Sequence, residues 1–73
     1  MKTPLRVRAL RDLRNLTQRQ VAKALGVSPG AVAKWELGVS MPTMENLLAL
    51  ATLFGCTTDA LLGREPPGAE QAS

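Results

Sequence analysis

The sequence predicts an all-α protein, a compact five-helix bundle forming one domain. Three observations lead there. Apolar residues recur at three- and four-residue spacing in successive segments of the chain. Asn15, Gly26, Gly38, Gly55 and Gly63 close these segments, and each is a residue type that tolerates the left-handed backbone ending a helix. Thr17, Ser28, Thr43 and Thr57 or Thr58 stand where helices would begin, with hydroxyls suited to an unpaired first-turn N–H. No alternating apolar–polar run suggests a strand.

In order, the helices are expected over roughly 4–14, 17–25, 28–37, 43–54 and 57–62. Val7, Leu10 and Leu13 form the apolar stripe of the first. The second carries Val21, Ala22 and Leu25, and Thr17 precedes Gln20 at capping-box spacing. The third carries Val32 and Trp35 and begins at Ser28-Pro29, where proline loses nothing because that N–H would be unpaired anyway. Trp35 reads as a core filler. The fourth presents Leu47, Leu50, Ala51 and Phe54. Leu16 and Val27 lie in connections, placed to close the ends of the core. Residues 1–63 are therefore assigned to the domain, and 64–73, with Pro66-Pro67 and small polar residues, to a disordered tail.

A chain of 73 residues supports only a marginal core. Cys56 is the one cysteine and histidine is absent, so an internal disulfide is excluded and a zinc site is not expected. Cys56 reads as a small buried hydrophobe, and its solitary use fits a reducing compartment. The N-terminal region has no apolar stretch long enough for a signal peptide or a membrane span, so a cytoplasmic protein is expected. General acid–base or nucleophilic chemistry needs converging titratable groups. With no histidine, no tyrosine and no glycine-rich phosphate loop, neither an enzyme nor a bound cofactor is expected.

Charge is divided along the chain. Residues 1–34 hold Lys2, Arg6, Arg8, Arg11, Arg14, Arg19, Lys23 and Lys34 against Asp12 alone. Residues 35–73 hold Arg64 against Glu36, Glu45, Asp59, Glu65 and Glu70. A basic half suggests a polyanionic partner, although an ordinary solvated face would look the same.

The segment from Thr17 to Glu36 carries the functional argument. Only Gly26 and Val27 separate the second helix from the Ser28 cap. So short a connection, with glycine ending the first helix, is the helix-turn-helix arrangement that offers its second helix to the major groove. Ala22 is small where the helices must approach closely.

These residues resemble the phage Cro/repressor class of helix-turn-helix domains, the Xre family, which has the lambda-repressor-like fold. The matching pieces are Val7-x-x-Leu10-Arg11, Leu16-Thr17-Gln18, Val21-Ala22-x-x-Leu25-Gly26-Val27-Ser28, Val32-x-x-Trp35-Glu36-x-Gly38, Pro42, Leu47-x-x-Leu50-Ala51-x-x-Phe54-Gly55 and Leu61-Leu62. The resemblance implies a transcriptional regulator, repressor or controller, that binds double-stranded DNA as a homodimer. It implies that Gln18 packs on the DNA backbone and braces the third helix, and that Arg11 and Glu36 form a structural ion pair.

By spacing from the cap, the groove-facing positions are Ser28, Pro29, Gly30, Ala31 and Lys34. Ser28 and Lys34 can hydrogen-bond a base edge, while Pro29 and Ala31 can touch thymine methyls. Thr17 turns an amide end toward a phosphate, and Arg19 adds a cation. A homodimer surface is expected on the last two helices, from Met41, Met44, Leu48, Leu53, Leu61 and Leu62. The competing reading is a protein-interaction module, antitoxin-like, in which those helices bind a partner and the helix-turn-helix is weak.

Overall fold

The structure, a computed structural model, describes residues 5–64. Five helices follow in order: α1 Val7–Leu13, α2 Gln18–Leu25, α3 Pro29–Leu37, α4 Met44–Phe54 and α5 Thr58–Leu61. Among the described residues there is no strand. The tail assigned to 64–73 lies outside the described residues apart from Arg64, as does Lys2.

Hydroxyl caps start four of the helices. Thr17 Oγ1 accepts from the Gln20 N–H at 3.0 Å, and Gln20 Oε1 accepts from the Thr17 N–H at 2.8 Å. That reciprocal box satisfies two of the donors a helix start leaves unpaired. Ser28, Thr43 and Thr57 accept from Ala31, Asn46 and Ala60 at 3.1, 3.2 and 3.0 Å. At the last helix the cap is therefore Thr57, with Thr58 inside. Each cap contributes about 1 kcal/mol.

The first helix departs from expectation at its start. It begins at Val7, and Arg6 caps it without a side-chain bond. The Arg6 N–H instead donates to the Leu61 carbonyl at 2.8 Å. A long-range bond to α5 thus claims the residue that local pattern would place in the helix, and Leu5 is buried just ahead of it.

Six side chains are sealed in the centre: Val7, Val21, Val32, Leu50, Phe54 and Leu61. Trp35, Ala22, Ala51 and Ala60 join them, so every helix delivers at least one residue to a shared core. Burial of one such large side chain is worth about 1.5–3 kcal/mol. Leu16 and Val27 pack against this core from the connections.

Three apolar assignments change. Leu13 is exposed, because two successive three-residue steps drift about 120° around a helix with 3.6 residues per turn. Arg11, four residues from Val7, turns inward instead. Leu61, expected on the dimer surface, is fully buried. The Arg6–Leu61 bond and the short α5 hold it under the bundle. Cys56 is half-buried against the core edge and not enclosed.

Candidate nucleic-acid interface

The two central helices are joined by a turn whose geometry follows from one residue. Gly26 has φ 74°, in the left-handed region. This reverses the chain so that the Val27 N–H donates to the Ala22 carbonyl at 3.0 Å. Val27 then drops onto the core, and Ser28 opens α3. A Cβ at Gly26 would meet nothing within 4 Å, so the requirement is purely conformational. Gly26→Ala is accordingly expected to cost about 1–2 kcal/mol, measured by urea denaturation. No loss of stability would show that the turn does not depend on glycine.

A polar network braces this unit from behind. Arg11 on α1 donates to Glu36 on α3 through Nε to Oε2 at 2.7 Å and Nη2 to Oε1 at 3.3 Å. Its Nη1 donates to the Leu16 carbonyl at 2.8 Å. Gln18 on α2 donates through Nε2 to Glu36 Oε1 at 2.9 Å. The ion pair is well enclosed, with side-chain exposures of 13% for Arg11 and 6% for Glu36. One carboxylate thus ties the last turn of α3 to α1 and to the first turn of α2. Burial pushes the Glu36 carboxyl up, but hydrogen bonds from Arg11 and Gln18, with the charges of Arg11 and Arg8, outweigh it and hold the carboxyl below its ordinary value. The hydrogen bond to Glu36 in turn raises Arg11, against a smaller opposing effect of burial.

Sequence spacing did not indicate that Gln18 shares this carboxylate, because its partner is eighteen residues away. The amide nitrogen carries two hydrogens, so one remains for an outside acceptor. In the first turn of α2, the Gln18 and Arg19 N–H groups lie beyond the two that the Thr17–Gln20 box satisfies.

Ser28, Pro29, Gly30 and Lys34 are exposed on α3. Ala31 differs in being half-buried, with part of its surface packed against the core. Spacing counted from the cap missed Leu37, which is 77% exposed at the end of the same helix.

The basic half of the sequence divides into two sets. Arg8 and Arg11 approach Asp12, and Arg14 donates through Nε to the Phe54 carbonyl at 2.8 Å, closing the end of α4. The stem of Arg6 lies beside Gly63. Of these, Arg11 and Arg14 tie elements of the bundle together, whereas Arg8 meets Asp12 on its own helix at 75% side-chain exposure. Arg19, Lys23 and Lys34 are exposed and make no ion pair among the described residues. No group of three His, Cys, Asp or Glu among the described residues could hold a metal ion.

Comparison with known proteins agrees with this geometry. The model of the helix-turn-helix family matches residues 7–61. Over 60 residues, 82% of its length, the chain is 43% identical to the HTH-type transcriptional activator BcrR of Enterococcus faecalis, of which it covers 29%. Over 64 residues it is 39% identical to the cryptic phage CTXphi transcriptional repressor RstR of Vibrio cholerae, covering 88% of this chain and 57% of that protein. The chain therefore spans 29% and 57% of these two relatives. Among solved structures, the P22 c2 repressor in complex with synthetic operator 9T in the presence of Tl+ superposes with a TM-score of 0.75 at 39% identity, over 81% of this chain and 89% of that one.

Proposed function

Because this chain belongs to the helix-turn-helix family, in its Cro/repressor class, we propose that it is a sequence-specific DNA-binding transcriptional regulator that inserts α3 into the major groove. The observation that carries this is the α2–turn–α3 unit, braced through Glu36 and bearing the exposed cations Arg19, Lys23 and Lys34. Ser28 and Lys34 face base edges. Thr17, Gln18 and Arg19, at the start of α2, take a phosphate through backbone N–H groups and the second Gln18 amide hydrogen. Pro29 and Gly30 line the approach of α3. No enzymatic activity or cofactor belongs to this reading. Among the described residues no helix is long and apolar enough to cross a membrane, which accords with action in the cytoplasm.

The working form is a homodimer on a near-palindromic operator, with half-site centres roughly 34–36 Å apart. Met41, Met44 and Leu48 are exposed, Met44 and Leu48 one turn apart on α4. They supply the apolar surface that a second copy would cover. The same patch favours a second reading, in which a different protein docks there.

Selection of DNA from a random pool, followed by titration at several salt concentrations, tests the proposal. One preferred sequence should emerge, with log K falling by about 0.9 per phosphate neutralised for each unit rise in log salt. Gln18→Ala should weaken that binding about tenfold, or ~1.4 kcal/mol, while circular dichroism still reports a folded helical protein. A pool that yields no preferred sequence would overturn the reading, and unchanged affinity in the variant would remove Gln18 from the site.

A further inference from the structure

Gly30 has no structural duty that the fold reveals. The glycines at 26, 38, 55 and 63 all have positive φ, but Gly30 is not among them and sits inside α3. A Cβ built on it would meet only Ser28 Oγ, at 3.8 Å, an ordinary van der Waals contact. Glycine in a helix loses more backbone freedom on folding than alanine does. Alanine would therefore fit the same backbone and make the helix more stable. The fold by itself favours a substitution that this chain does not carry.

The position of Gly30 suggests what opposes that substitution. At 100° per residue, Val32 and Trp35 define the buried side of α3, and both are core. The line diametrically opposite runs through Gly30 and, seven residues on, Leu37, with Lys34 flanking it. Gly30 is thus the outermost backbone point of the first turn of α3, next to the exposed Ser28 and one turn from Lys34. Those two are the only hydrogen-bonding side chains on this face of the helix.

We propose that Gly30 is a specificity-determining position, at which the α3 backbone itself seats in van der Waals contact with the DNA. This rests on the DNA-binding reading above and adds how the helix discriminates. Few side chains on α3 can pair with bases, so selectivity comes from how deeply the helix can sit. Depth is set at the one residue with no Cβ. A site whose groove and base edges accommodate the bare backbone is preferred, and other sites hold the helix further out.

The test is Gly30→Ala, measured for stability and for binding to the selected site and to an unrelated duplex. The melting temperature should rise by about 2–5 °C. Affinity for the selected site should nevertheless fall about tenfold or more, as expected when a methyl is forced into a close-packed contact. Affinity for the unrelated duplex and the salt slope should stay unchanged, because no phosphate contact has been altered. A more stable variant with undiminished selectivity would overturn the proposal. So would a lower melting temperature, which would make Gly30 a structural glycine. If the wild-type protein selects no DNA sequence at all, the DNA-binding reading fails first and this inference with it. Selective binding by the wild type with an indifferent variant sinks the inference alone.

Discussion

Arg11→Met is expected to lower the unfolding free energy by about 3–5 kcal/mol, because it leaves the Glu36 carboxylate enclosed without its counter-ion. The loss is severe for a domain of this size, whose total stability is about 4–11 kcal/mol at ordinary values per residue. The Arg11 guanidinium supplies two of the three hydrogen bonds that reach Glu36 and also holds the Leu16 carbonyl. Removing both charges, as in Arg11→Met with Glu36→Leu, should cost far less than the single change, since no lone charge is left. Urea denaturation of the two single variants and the double variant measures the coupling. Additive losses would show that the pair does not act as a unit.

The same carboxylate gives the fold a signed pH dependence. The Glu36 carboxyl lies below its ordinary value in the folded protein. Its contribution is therefore complete above the unfolded-chain value of about 4.3 and is lost as pH falls through the folded value. The wild-type melting temperature should decline below about pH 4 more steeply than that of the double variant. Parallel acid profiles would remove Glu36 as the source of the acid sensitivity.

Leu61→Glu is expected to abolish folding altogether. Leu61 is 0% exposed and sits among the six sealed side chains. A carboxylate there must either unfold the domain or stay neutral without a partner, and each costs several kcal/mol. Leu48→Glu gives the contrast: Leu48 is 53% exposed, so the fold should survive within about 0.5 kcal/mol. If the α4 face joins two copies, Leu48→Glu shifts the sedimenting species to monomer and weakens operator binding. Circular dichroism with sedimentation separates the outcomes. A folded Leu61→Glu variant would contradict the core assignment, and an unaltered mass for Leu48→Glu would move the dimer surface elsewhere.

Most helix starts and stops follow from chemistry local to the chain. A Thr or Ser bonds an N–H three residues ahead, and the left-handed residues Asn15, Gly26, Gly38, Gly55 and Gly63 act within one turn. Both are local chemistry that a linear reading captures, so the α2–turn–α3 unit was legible at once. Its outer face was legible in large part: cap spacing named Ser28, Pro29, Gly30 and Lys34, all exposed, together with the half-buried Ala31, and passed over Leu37. Other features depend on partners remote in the chain. The Arg6 N–H goes to Leu61 across 55 residues, which delays α1 to Val7 and pulls Leu61 inside. Arg14 serves the Phe54 carbonyl forty residues away, so a cation counted toward a polyanion serves the bundle. Gln18 reaches Glu36 on α3, a brace that the family resemblance implied but whose partner atom only packing identifies. In each case a hydrogen-bonding group has several possible partners along an extended chain, and packing selects one by bringing it within about 3 Å and excluding the water that would otherwise compete.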